Sequence, residues 1–490
     1  MLRSCAAWLC VSLVVATAAQ AGEWNQWRGP NRDGYEPDSP PLVRELPAEG
    51  LTPLWVADAS TPTGGGGGGG WSSPVIAGGQ VYIYSHVRTK RENVTLPPEK
   101  FPQLTDDQKA SMTADERDAY EGDHRKERIA RQDLEHRWTE RLVAFEAATG
   151  KVRWENQCES RATRFPQSGT PAVVDGKVLV HGARGRVRAV DVRTGADVWS
   201  AQLPGEFSDE HHPSSIAVAG GVAVVAAGRV FGLQVSDGKF LWQADVEPET
   251  NSSSSPVIWS HSGAYYAVAH IGHGETACFD LRDGHELWRV KSEAGRSTPV
   301  VVGDRLITYG NSRKGGLRCY AMTPDGAEEV WTNSTVADEG CSPVVVEGNV
   351  FAHGDRKVAC IDLATGKTNW RRELDLERPR YTSLIAADGK VIFAAEALVC
   401  FEASPGEFAL LIDGRFDREG TVASERHFRE QLHIDDLERT PEGQKEAESL
   451  WRKQISGGPA QCVSPAIDDG RIYLRLKDNR VACYDLRVRR

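Results

Sequence analysis

A pattern of about 40 to 45 residues recurs along this 490-residue chain. Each copy reads Ser-x-Pro, an apolar run, a Gly-containing turn, a second apolar run, a small residue with an acid, then Thr-Gly and Trp. One copy runs from Ser168 to Trp199 and another from Cys341 to Trp370. The end-of-unit tryptophans stand at 154, 199, 242, 288, 331 and 370, one repeat apart. Four short strand signals per repeat at this period specify the blade of a β-propeller. Eight copies are legible, so the expected fold is all-β, an eight-bladed β-propeller.

The units start near Trp71, Ser168, His212, Ser254, Ser297, Cys341, Tyr381 and Val463. The seventh ends near Leu411, with leucine in place of tryptophan. The eighth stops after Cys483-Tyr-Asp-Leu486 without an outer strand. Pro53-Leu-Trp-Val56 matches that missing strand, yet no blade precedes it. An N-terminal strand closing the last blade accounts for both ends and removes the exposed edges of an open array. The tryptophans are then expected to pack between neighbouring blades.

Cys278, Cys319, Cys360, Cys400 and Cys483 share one repeat position, occupied in other blades by Ala144, Ala189 and Gly232. That position calls for a small buried residue, and cysteine serves as a small hydrophobe. Cys158, Cys341 and Cys462 remain as cysteines that could bridge.

Two helical insertions interrupt the repeat, at about 88–140 and 413–456. The first carries capping boxes at Thr105–Gln108 and Thr113–Glu116. Its pairs Glu121–Arg125, Glu127–Arg131 and Asp133–Arg137 suit a solvated helix, with a docking arm or lid as the sharper alternative. In the second, a helix over 442–454 carries Trp451, either as an anchor or as the displaced tryptophan of blade seven. Gly64–Gly70 reads as a flexible linker.

Arg3, the apolar stretch Ala6–Ala18 and Ala19-Gln-Ala21 read as a signal peptide over 1–21, so an exported protein, periplasmic or extracellular, is expected. Residues 22–50 form an N-terminal extension and 51–490 the propeller. No other segment could span a bilayer. Lysine plus arginine number 58 against 69 acids, a net charge of −11, which disfavours a nucleic-acid partner.

The segments entering each innermost strand surround the channel mouth. The aromatic and cationic candidates there are Trp71, Tyr381, Arg164, Arg296 and Arg380. The others are Gln167, His211, His212, Asn251, Glu339 and Gln461. Such a polar ring suits an anionic or sugar-like ligand or a peptide. Adjacent histidines rarely point at one ion, and no acid or cysteine at fixed spacing completes a set, so no metal site is assigned. No hydrolase motif occurs.

The blade endings Ala147-Ala-Thr-Gly-Lys-Val-Arg-Trp154, Asp191–Trp199, Asp280–Trp288 and Asp362–Trp370 resemble the pyrroloquinoline-quinone (PQQ)-type propeller repeat, as does the opening Trp24-Asn-Gln-Trp-Arg-Gly-Pro-Asn-Arg-Asp-Gly34. The resemblance implies three readings. The first, adopted here, is a non-catalytic binding or scaffold protein of the cell envelope, similar to the propeller subunit of the outer-membrane assembly machinery (BamB-like). It implies no cofactor, a protein or small-molecule partner, and a monomer. The second is a quinoprotein oxidoreductase holding PQQ and calcium in the channel. Its alcohol-oxidising branch uses an adjacent cysteine pair, which this chain lacks. The third is an uncharacterised enzyme using the mouth as a pocket.

Overall fold

The computed structural model describes residues 23–59, 70–165, 167–207, 213–244, 246, 254–311, 315–354, 356–374, 381–460 and 462–488. The expected signal segment and most of the glycine run lie outside them, as do His211, His212, Asn251, Arg380 and Gln461.

Eight antiparallel sheets form the ring, each built outward from an inner strand. Blade eight contributes Ala466–Asp468, Arg471–Arg475 and Arg480–Asp485, and its fourth strand is Trp55–Asp58. Trp55 stands opposite Cys483 and Asp58 opposite Arg480, so the expected closure by the N-terminal strand is present. Fully buried Arg475 reinforces the seam by donating from Nη1 to the carbonyls of Ser72 and Tyr84 and from Nη2 to Ser85 Oγ in blade one.

The Thr-Gly and Trp of the repeat are explained by one contact. The indole nitrogens of Trp55, Trp154, Trp199, Trp242, Trp288, Trp331 and Trp370 each donate to a turn carbonyl of the next blade, at 2.8–3.0 Å. The rings of Trp55, Trp154, Trp199, Trp242 and Trp331 lie on the glycine of that turn. A Cβ at Gly284, whose φ is +74°, would sit 2.4 Å from Trp242. On the indole's own sheet, the residue directly opposite is the small one: Ala144, Ala189, Gly232, Cys278, Cys319, Cys360 or Cys483. In blade seven Ile412, rather than a leucine, stands opposite Cys400 and takes the tryptophan position.

The Ser/Thr before each inner strand forms a second circuit. Main-chain amides donate to the hydroxyl one blade on, from Ser73 to Thr170, Thr170 to Ser215 and Ser215 to Ser255, at 3.0–3.1 Å. The circuit continues from Thr298 through Ser342, Ser383 and Ser464, and returns from Ser464 to Ser73.

The insertions are shorter than their sequence signals suggested, because the flanking strands run on. Strands Gln80–Lys90 and His136–Glu146 pair along their whole length. The first insertion is therefore confined to residues 91–135, with helices α1 (Asp106–Ala110) and α2 (Ala114–Glu135). Both capping boxes form. The second begins beyond Leu410–Phe416 and adds strand Val422–Ala423 to blade seven before α3 (Glu425–Gln431), α4 (Ile434–Leu437) and α5 (Pro441–Gln454). Trp451 lies half-buried on α5.

The N-terminal extension is an integral part of the ring. Its residues bond to the inner rims of six blades: Trp24 O to Ile76 N, Asn25 to Val173, Arg32 to the Ser215 and Ile216 carbonyls, Trp27 Nε1 to Thr298 Oγ1 (3.0 Å), Arg28 to the Ser342 and Pro343 carbonyls, and Gly34 O to Ala386 N; Val43 N reaches Leu486 O, just past the third strand of blade eight. Tyr35–Glu36 adds a parallel strand to the inner edge of blade seven. Gly34 has φ +84°, and a Cβ there would meet Arg28 Nη2 at 2.7 Å, so glycine is what lets the arginine pass.

Candidate binding site at the channel mouth

Because successive strands run antiparallel, the second-to-third and blade-to-blade connections emerge at one end of the ring. Both insertions are connections of these two kinds, so they rise beside the mouth formed by the segments entering the inner strands.

A cavity of about 310 Å³ opens there. Its walls are largely aromatic, with Trp27, Trp71, Phe165 and Tyr381. The hydroxyl circuit supplies Ser215, Ser255 and Thr298. Trp27 comes from the N-terminal segment threaded through the ring. Beneath it Arg28 and Arg32 are each about 1% exposed. Desolvation pulls their pKa values down to about 10 and about 9, and the Arg28 charge lowers Arg32 further.

Arg296, Glu339 and Tyr381 form one polar group on the rim. Arg296 Nη1 lies 2.8 Å from Glu339 Oε1 and donates to Tyr381 Oη at 2.6 Å. Its guanidinium also stacks over the Tyr381 ring at 5.6 Å. The Tyr381 hydroxyl donates to Glu339 Oε2, and burial pushes its phenol pKa up. Tyr381 (φ +60°) and Cys462 (φ +65°) are non-glycine residues in the left-handed region, and both line the cavity. Such backbone strain concentrates at ligand clamps. Gly340 makes the Tyr381 position possible, since a Cβ there would meet the Tyr381 ring at 1.9 Å.

Of the sequence-selected residues, Trp71, Arg296 and Tyr381 line the cavity, and Glu339 holds two of them in place. Gln167 is a correction: it is fully buried, its carbonyl accepts the Trp71 amide at 2.9 Å, and its side chain donates to the Phe165 carbonyl. It positions Trp71 and does not face the mouth. Arg164 lies beside the cavity, stacked on Phe165 and facing the helical arm. Trp27, Phe165, Ser168, Pro213, Gly340 and Cys462 were not selected. Phe165 follows Arg164 and Ser168 follows Gln167, so the next residues along carried the signal. Cys158, Cys341 and Cys462 are all thiols, so the bridges considered for them do not form among the described residues.

The family model described as outer membrane protein assembly factor BamB matches residues 138–333 and 311–410, together more than half of the chain. The chain belongs to the BamB family. BamB of Yersinia pestis is 27% identical over 225 residues, covering 44% of this chain and 54% of the relative. BamB of Burkholderia pseudomallei is 30% identical over 228 residues, covering 42% and 55%. The chain thus spans about half the length of the curated relatives it matches. The crystal structure of BamB from Moraxella catarrhalis aligns over 70% of this chain and 91% of its own, at 15% identity and a TM-score of 0.48. The BamB match begins at Trp138, so helices α1 and α2 lie outside it.

Proposed function

We propose that this protein is an exported, non-catalytic propeller of the cell envelope that binds partners at its channel mouth and serves as a scaffold in outer-membrane protein assembly, the role named for its relatives. Membership of the BamB family is the observation that carries the reading. No helix among the described residues is long and apolar enough to cross a membrane.

The chemistry of the mouth supports binding over catalysis. Among the described lining residues Arg296 is the one charged group, and Glu339 is engaged with it and with Tyr381. Calcium takes six to eight oxygen ligands. Among the described residues no three His, Cys, Asp or Glu side chains converge where they could hold a metal ion. The channel below Trp27 is threaded by Arg28 and Arg32. These donors do not suit a quinone with calcium, and we propose that neither takes part.

The test is affinity purification of the tagged chain from cross-linked native envelopes, beside addition of PQQ and Ca²⁺ to the pure protein. Co-purification of the outer-membrane assembly machinery without dye reduction is expected. Dye reduction that requires both additives would overturn the reading.

A further inference from the structure

The mouth cavity shares a wall with a second cavity of different chemistry. Phe165 lines the mouth, and the Arg164 guanidinium stacks over its ring at 5.1 Å. Arg164 in turn lines a cleft of about 200 Å³ against the helical arm. On α2, Tyr120, His124 and Arg128 recur every fourth residue and share the face that forms this cleft, with Arg125 beside them. Lys109 of α1 completes it.

Among its described lining residues the cleft gathers four permanent cations, Lys109, Arg125, Arg128 and Arg164, and one carboxylate, Glu121, which pairs with Lys109 at 3.1 Å. Other acids of α2 are turned to structural tasks. Glu116 caps the helix, Glu127 accepts the Lys100 and Phe101 amides, and Asp133 accepts the Ala162 amide. On a chain of net charge −11, the cleft is a local reversal of sign. Guanidinium groups are matched to carboxylates in geometry as well as charge.

We infer that the mouth and the arm together bind an extended acidic peptide segment, with one aromatic or large aliphatic side chain seated among Trp27, Trp71, Phe165 and Tyr381 and neighbouring carboxylates in the basic cleft. This deepens the binding role proposed above and rests on it. The occupant is argued from charge complementarity and from the apolar anchor site directly adjoining the cations. Because α1 and α2 lie outside the BamB match, Lys109, Arg125 and Arg128 of the cleft come from outside it, while Arg164 lies within it.

The experiment is fluorescence anisotropy on the full chain with a labelled hexapeptide carrying one phenylalanine followed by three glutamates. Saturable binding is expected, weakened about tenfold when glutamines replace the glutamates and again when alanine replaces the phenylalanine. Arg125→Ala, an exposed change, should weaken binding at an unaltered melting temperature, and Phe165→Ala should do so independently. Equal affinity for the glutamine peptide, or indifference to both protein variants, would overturn the inference. So would binding of phosphatidylglycerol vesicles in place of the peptide, which would point to a membrane surface. If the wild-type chain ignores the peptide yet still captures the envelope machinery, this inference fails alone; if that capture fails, the scaffold reading fails.

Discussion

The main-chain amide of Ser464 donates to Oγ of Ser73 at 3.0 Å, across 391 residues of sequence. Both residues are buried, so the bond joins blade eight to blade one where water cannot substitute for it. Ser73→Ala leaves the Ser464 amide without its acceptor and should cost about 1–3 kcal/mol. Ser73→Thr, which keeps the hydroxyl and copies Thr170 and Thr298, should cost clearly less. Urea denaturation of the two variants measures the difference.

The tryptophan–glycine contact makes a paired prediction. Trp242→Ala should destabilise by about 3–5 kcal/mol, through lost burial and the lost bond to the Leu281 carbonyl. Gly284→Ala should cost about 1–3 kcal/mol from the opposite side, because the new Cβ meets the same ring at a left-handed φ. Combining the two should give less than their sum, since the small side chain removes the clash.

Deleting residues 51–58 removes the outer strand of blade eight and the Trp55 bond to the Ala147 carbonyl. The ring then has an open edge, so a sharp fall in thermal stability and in cooperativity is expected by calorimetry. An unchanged melting curve would contradict the closure.

Asp468 ends the inner strand of blade eight near Glu36, Asp469 and Glu23, with Arg471 partly offsetting them. Burial first, then these acids, raises its carboxyl from the usual 3.8 to about 7. A carboxyl raised in the folded state favours folding while protonated. Its contribution is full below pH 3.8 and is lost as the pH rises through about 7. Asp468→Asn should therefore stabilise the protein at pH 7.5 and lose that advantage near pH 4. Melting temperatures of both proteins across this range provide the check.

The blades were legible because each repeat states its own contacts: a small residue faces the tryptophan, and the Thr-Gly turn receives the indole of the preceding blade. The closing strand was legible by the same logic, as an orphan tryptophan at the other end of the chain. The threading of Trp24–Gly34 through the ring was not. Arg28 and Arg32 bond mainly to main-chain carbonyls some 180 to 315 residues away, and carbonyls leave no mark on residue identity. Gln167 was misread for the same reason, since its carbonyl is what holds Trp71. On α2, charge spacing suggested pairs along the helix. Glu127 and Asp133 instead reach loop amides, and Glu121 reaches Lys109 on another helix.

The central claim is that the mouth is the working face of the ring. A photo-cross-linking amino acid placed at Tyr381, on the mouth, can be compared in native envelopes with one at Phe240, exposed at the start of an outer strand next to a turn on the opposite end. The account predicts cross-links to outer-membrane assembly components from position 381 and none from position 240. Cross-links from 240 with none from 381 would contradict it.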